Sequence, residues 1–368
     1  MSELGVAVIG SGSIALANHL PGLALCPDTR VVALCDANPS VLEKASQQTG
    51  ITATYLNYQD VLARVDIGAV IVATPNYLHA RIAMDAAAVG KHVLCEKPIA
   101  MSFEQSLQML QAATRSKVRH MTAFTYRFVP AMRYMAHLVK QGAIGQPYHF
   151  RAQRFQDWGS RGLGWRQVKQ LAGSGELGDM LSHRIDYAHL LFGPITRVVA
   201  QTRRFIDTRD GVASDLEDWV AILAEFEGAK PDAPTPTGVL ESSKLATGRG
   251  EGAQSQDYCE VNGSDGTVVY HLEHPLELLI GKKGGKSLQR TPVPEEFLVV
   301  PGSPRDPHAG DPLVTFRYDQ DFEFVEAIRE GRDCKPSFRD GCAAQAVMDA
   351  AILSDKESRW VDVPKVEA

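Results

Sequence analysis

The sequence predicts an α/β fold: a doubly wound parallel sheet at the N-terminal end, followed by an antiparallel sheet with accompanying helices. Three observations carry this. From residue 4 to about 123, short apolar runs alternate with helix-length segments. The first run closes on Gly10-Ser11-Gly12. Beyond Arg127 the rhythm slows, and strand-like runs joined by Gly-containing turns dominate. At ~100–200 residues per domain, 368 residues make two domains, drawn here as 1–123 and 124–368.

The apolar runs of the first domain are Leu4–Ile9, Arg30–Asp36, Ala69–Ala73, Val93–Cys95 and Met121–Phe124. They are too short for helices and mostly unbroken by polar residues, as strands covered on both faces are. Between them, Ser40–Gln48, Ala80–Val89 and Ser102–Ser116 read as helices. The last opens with Ser102-Phe103-Glu104-Gln105, a capping-box pattern. In the second domain helices are expected at Pro130–Lys140 and Leu177–Phe192. Strands are expected at Tyr148–Phe155, Thr196–Ile206, Trp219–Phe226, Gly238–Leu245, Tyr258–Val261, Thr267–His271 and Leu276–Ile280. Tyr318–Glu330 and Gly341–Leu353 read as helices that pack on this sheet or back on the first domain.

Composition excludes several classes. Lys and Arg number 38 against 44 Asp and Glu, a net charge of −6, and the basic spots are short, so nucleic acid finds no electrostatic foothold. No run of ~18 uncharged apolar residues occurs, which excludes a membrane-spanning helix. Six cysteines without a CxxC pair read as reduced thiols, Cys35 and Cys95 as buried small hydrophobes. With Met1-Ser2-Glu3-Leu4 running straight into an apolar strand, a cytoplasmic protein is expected. No His, Asp or Glu cluster calls for a metal.

Gly10-Ser11-Gly12-Ser13-Ile14-Ala15 has the pattern GxGxxA between a strand and a helix. The first Gly permits a tight turn, the second lets backbone approach a pyrophosphate, and Ala15 is small enough where helix meets strand. Unpaired N–H groups around Ser13 and Ile14 then face phosphate. Asp36 ends the second strand, where a carboxylate binds adenosine ribose hydroxyls and repels a 2′-phosphate. NAD is therefore expected over NADP; the plainer reading of Asp36 is a strand-end cap. In the later helix Asp179, His183 and Asp186 fall within about 60° of one another. Leu181, Ile185, Ala188 and Phe192 form the opposite stripe, so the polar side chains are expected on an open face.

Further motifs follow in order: Ala73-Thr74-Pro75-Asn76-Tyr77-Leu78-His79, Glu96-Lys97-Pro98, Tyr126-Arg127-Phe128-Val129-Pro130, and Gly173-Ser174-Gly175-Glu176-Leu177-Gly178-Asp179-Met180-Leu181-Ser182-His183-Arg184-Ile185-Asp186. Together with Val239–Lys244 and Val261–Gly266, this order resembles the glucose-fructose oxidoreductase / inositol dehydrogenase / rhizopine catabolism (Gfo/Idh/MocA) family of NAD(P)-dependent enzymes. The likeness runs from residue 4 to about 355. Ser182 departs from the small residue that often precedes the family's His, and Ala229–Pro236 looks like an insertion.

The resemblance implies a Rossmann domain, then an α+β domain with a large open-faced, mostly antiparallel sheet. It implies an active site between the two and a homodimer or homotetramer formed through the open sheet face. It also implies an NAD-dependent dehydrogenase oxidising a secondary hydroxyl of a sugar, sugar derivative or inositol. His183 would be the acid/base, Asp179 would bind a hydroxyl or assist His183, and Lys97 would donate to the substrate oxygen and help hold the nicotinamide. Thr74, Pro75, Asn76, His79 and Glu96 are assigned to the cofactor's ribose side, although His79 could simply begin a helix. Arg127, Trp165 and Arg166 are assigned to the cofactor; packing is an equal reading of Trp165. Tyr126, Asp157 and Trp158 are assigned to a polyol substrate, and Pro98 to a cis bond. Two alternatives stay open: tightly bound, recycled NAD(H) acting on glycosides or between sugars, and a cofactor-responsive regulatory protein.

Overall fold

The computed structural model describes residues 3–228, 234–252 and 256–367; most of the expected insertion at Ala229–Pro236 lies outside them. The chain forms two compact units. The first holds Met1–Thr125, Val299–Ala309 and Val314–Cys342, and the second Tyr126–Leu298, Gly310–Leu313 and Ala343–Ala368. Where the sequence reading draws one boundary after residue 123, the chain returns to the first unit twice.

The first unit is built on six strands: β1 (Leu4–Ile9), β2 (Thr29–Cys35), β3 (Thr54–Tyr55), β4 (Ala69–Val72), β5 (His92–Cys95) and β6 (His120–Thr122). They lie in the order β3-β2-β1-β4-β5-β6, all parallel. Every residue of β4 is buried, which explains its unbroken apolar run. The helices are α1 (Leu20–Leu25), α2 (Pro39–Thr49), α3 (Tyr58–Leu62), α4 (Asn76–Ala88) and α5 (Phe103–Ser116). Asn38 caps α2 by accepting the Ser40 N–H, and Gly50 ends that helix at φ +73°. The capping box of α5 forms by half. Ser102 Oγ accepts from Gln105 N at 3.3 Å, but Gln105 Oε1 takes the Met101 N–H rather than that of Ser102. Strand order reverses between β1 and β4, and the carboxyl ends of those strands are where an open α/β sheet admits a ligand. The helix Tyr318–Glu330 also belongs to this unit and packs on α1.

The second unit carries a nine-stranded sheet. Its order is Gln289–Pro292, Glu277–Lys282, Gly266–His271, Gln256–Gly263, Pro147–Phe155, Thr237–Ser243, Trp219–Phe226, Ile195–Arg203 and Val361–Asp362. Only Pro147–Phe155 and Thr237–Ser243 run parallel; the other neighbours are antiparallel. Period-2 alternation sends Phe150, Ala152, Arg154, Leu240 and Ser242 to the covered face. Leu223, Val239 and Arg151 stand side by side on the other, where Leu223 is 49% exposed. The two edge strands, Gln289–Pro292 and Val361–Asp362, are short and polar and escape a search for apolar alternation.

The expected helix Leu177–Phe192 is a π-helical turn, Leu177–Leu181, followed by an α-helix, Ser182–Phe192. The expectation of an open polar face is also corrected. His183, Arg184 and Asp186 are buried as fully as Ile185 and Ala188. The reason lies in the covered sheet face, which is itself charged: Arg184 donates to Asp257, and Arg154 lies 3.7 Å from the same carboxylate, all three at most 2% exposed. A buried ion pair stripped of one partner leaves an uncompensated charge, which costs about 3–5 kcal/mol. Asp257→Asn is therefore expected to lower stability by that amount, read as an earlier urea midpoint at an unchanged slope.

Candidate active site

In the first unit the turn after β1 forms because only glycine fits its first position. Gly10 sits at φ +95°, and a Cβ there would lie 2.4 Å from the Ala73 carbonyl oxygen. At Gly12 an added Cβ would meet nothing within 4 Å, so open space borders the backbone. Ser13 is exposed and Ile14 half-buried at the start of the following helical segment, while Ala15 is fully buried. Asp36 turns both carboxylate oxygens to the same corner: Oδ2 accepts from Ser11 N at 2.9 Å and Oδ1 from Asn38 N at 2.9 Å. Thr74 Oγ1, just beyond β4, is buried and makes no hydrogen bond among the described residues. A pinned carboxylate, a glycine facing open space and an orphaned hydroxyl at neighbouring strand ends fit a dinucleotide.

The remaining residues of this unit divide. Asn76 begins α4. His79, by contrast, has no exposed surface, and its ring nitrogens lie 2.9 Å from Pro98 O and 2.8 Å from Thr74 O. It braces the Thr74-Pro75 turn against the Lys97-Pro98 turn and leaves no polar atom for a ribose. Burial lowers its pKa against the pull of those carbonyls. The Lys97-Pro98 bond is cis, and Lys97 is half-buried. Glu96 Oε2 accepts the Lys97 N–H at 3.2 Å, and its Oε1 lies 3.1 Å from His19 Nε2.

In the second unit Glu217 shapes the segment that carries Asp179. Its Oε1 accepts from Gly175 N and Leu177 N at 2.7 and 3.0 Å, and a Cβ at Gly175 would lie 2.2 Å from Glu217 O. Asp179 follows, 3.5 Å from Arg166 Nε, and Arg166 stacks over Trp165 at 4.3 Å. Tyr126 meets His183 edge-on with ring centroids 4.6 Å apart. Arg127 grips Asp186 through two hydrogen bonds, 2.8 and 2.5 Å. Tyr126, Arg127, Asp179 and His183 thus gather around one helix, with Trp165 and Arg166 at Asp179. Asp157 and Trp158 have other partners. Asp157 Oδ2 accepts from Gly248 N, and Arg161 lies 3.8 Å over the Trp158 ring.

Several buried ionisable groups were not singled out from the sequence. Glu176 has no exposed surface, bonds to Ser242 Oγ, and has one carboxylate oxygen without a hydrogen bond among the described residues. Burial raises its pKa to about 7, with Lys244 opposing and Asp179 reinforcing the rise. His19 lies between Asp321 and Glu96. Burial would lower its pKa, but the two carboxylates outweigh that and hold it near 10. Only a lone His nine positions after Gly10 hinted at this, since its partner Asp321 is 302 residues away.

Fold and turn together define an NAD-binding oxidoreductase. The profile described as "Oxidoreductase family, NAD-binding Rossmann fold" matches residues 4–124, and the "GFO/IDH/MocA C-terminal domain" matches residues 132–269. The chain belongs to the Gfo/Idh/MocA family. It is 31% identical over its whole length to levoglucosan dehydrogenase of Pseudarthrobacter phenanthrenivorans, all of which is covered. It is 28% identical to inositol 2-dehydrogenase of Rhizobium meliloti, across 97% of this chain and 98% of that one. A solved levoglucosan dehydrogenase, in complex with NADH and levoglucosan, superimposes with a TM-score of 0.89 at 30% identity. That match covers 98% of this chain and 100% of the other. Among the described residues no helix is long and apolar enough to cross a membrane.

Asp36→Ala removes the acceptor for Ser11 N and the negative charge at that corner. The KM for NAD is expected to rise at least about tenfold, or ~1.4 kcal/mol, while that for NADP falls, both read from initial rates.

Proposed function

We propose that this chain is an NAD-dependent dehydrogenase that oxidises a secondary hydroxyl of a sugar, an anhydrosugar or a cyclic polyol. The observation that carries the reading is the Asp179–His183 segment. It sets a carboxylate and an imidazole one turn apart, against Arg166 and Tyr126, in a chain similar along its length to sugar and inositol dehydrogenases. The nicotinamide, when bound, supplies the hydride acceptor.

Loss of hydride from a carbinol carbon requires that its hydroxyl give up a proton. His183 accepts that proton; a well-placed base typically contributes 10²–10⁴-fold. Asp179 receives a substrate hydroxyl or steadies the imidazolium that forms. Arg166 Nε faces Asp179 from 3.5 Å in either task. Lys97 donates to the substrate oxygen as negative charge develops on it. Its backbone is held by Glu96, and the turn that follows it by His79. Asp36 receives the adenosine ribose, and its charge disfavours a 2′-phosphate. The levoglucosan dehydrogenase likeness makes an anhydrosugar the first substrate to test.

The test is a panel of levoglucosan, myo-inositol, aldoses and glycosides, with NADH absorbance as readout. Turnover is expected on at least one cyclic polyhydroxyl compound. His183→Ala is expected to lose about 10²–10⁴-fold in kcat with NADH affinity kept within about twofold. Near-normal turnover in that variant overturns the acid/base assignment.

A further inference from the structure

Behind Glu96 in the first unit, His19 and Asp321 have no part in the chemistry above. His19 and Asp321 have no exposed side-chain surface, and Glu96 has 13%. His19 Nδ1 lies 2.8 Å from Asp321 Oδ1, and Nε2 lies 3.1 Å from Glu96 Oε1. An ionised carboxylate is an acceptor only, so a ring that faces two of them donates from both nitrogens and is an imidazolium. Asp321 reaches His19 because α1 carries glycine at position 22. A Cβ there would lie 2.5 Å from Asp321 Oδ2.

The arrangement has a direction. Asp321 and His19 are sealed from solvent, and Glu96 alone reaches the surface, at the carboxyl end of β5, the next strand beyond β4. Its Oε1 faces His19 and its Oε2 takes the Lys97 N–H, yet each carboxylate oxygen has a second lone pair to offer. Without the imidazolium, two carboxylates would face one another in a buried place, and the one that reaches the surface, Glu96, would swing towards water.

We propose that His19 is a positioning residue for the cofactor: anchored by Asp321, it holds the Glu96 carboxylate where it accepts a ribose hydroxyl of NAD. This rests on the reading of Glu96 as a cofactor ligand. The step from His19 to Glu96 stands on the contacts above.

NADH titration followed by fluorescence, without any sugar, tests both in separable ways. His19→Gln combined with Asp321→Asn removes the cation and its anchor and leaves two neutral amides able to bond one another. This H19Q/D321N protein is expected to keep a thermal midpoint close to that of the unaltered chain. Its NADH Kd is expected to rise at least about tenfold, while kcat at saturating NAD changes by less than about twofold. Glu96→Gln is expected to weaken NADH similarly, and adding it to the double variant to cost little more, because both changes break one unit. A folded H19Q/D321N protein that binds NADH normally, beside a weakened E96Q, overturns the His19 inference alone. Normal binding by E96Q overturns the Glu96 reading and the inference with it. If the double variant does not fold, Asp321→Ala decides. It keeps the imidazole but removes both the charge and the oxygen that accepts from Nδ1, and an unchanged Kd in that protein overturns the proposal.

Discussion

An ionised side chain removed from water needs a partner of opposite charge, or the loss of solvation costs several kcal/mol. Both units meet this requirement directly behind the residues assigned to function. In the first, His19 is met by Asp321 and Glu96. In the second, Arg184 and Arg154 converge on Asp257, and Arg127 is met by Asp186. These pairs decide which conformations of the outer residues are available. Glu96 is drawn inward by a cation, and the helix Ser182–Phe192 is held by ion pairs at Arg184 and Asp186. Replacing such clusters by apolar groups could leave a stable fold, but the polar atoms would lose their fixed directions.

The same logic explains how weak local motifs become a cofactor site. A Gly-x-Gly turn by itself supplies only backbone N–H groups and space. Here Asp36 is oriented by two backbone N–H groups, and one of them belongs to Ser11 inside the turn. The Asp36 carboxylate and the glycine turn therefore cannot move independently. His79 does the equivalent for the next two strand ends by reaching from Thr74 O to Pro98 O. A residue expected at the cofactor acts instead as the strut between two loops. Its spacing within α4 is the same for either role, so the sequence could not separate them.

What the sequence revealed follows the range of the interactions concerned. Parallel strands buried on both faces leave unbroken apolar runs, and Ala69–Ala73 was legible for that reason. Helices stopped by Gly or started by Asn and Ser are local, and Pro130–Lys140 and Tyr318–Glu330 lie at the expected residues. The Asp179–His183 segment was found, but its surroundings were not. Helical periodicity treats charged residues as outward, and the charged inner face of the sheet at Arg154 and Asp257 inverted that assignment. Gly175, just before the π-helical turn, is bound by Glu217, 42 residues on. Pairs at such separations have no signature in one sequence.

The burial around Asp179 has a consequence for charge in the second unit. Glu176 and Asp179 lie within one turn, and the Asp179 charge is among the causes that raise Glu176, after burial itself. Lys244, itself buried, pulls the other way. Two carboxyls coupled in this manner do not titrate as separate residues, and the first proton belongs to the pair. Arg166 lies beside Asp179, whose side chain solvent still reaches, whereas Glu176 has no exposed surface. With Glu176 raised to about 7, the carboxyl of the two that solvent reaches is Asp179, one helical turn before His183. In the proposed reaction a carboxylate there favours the imidazolium that proton abstraction creates. Burial of the glutamate thus ties its proton uptake near neutrality to the charge of the neighbouring aspartate.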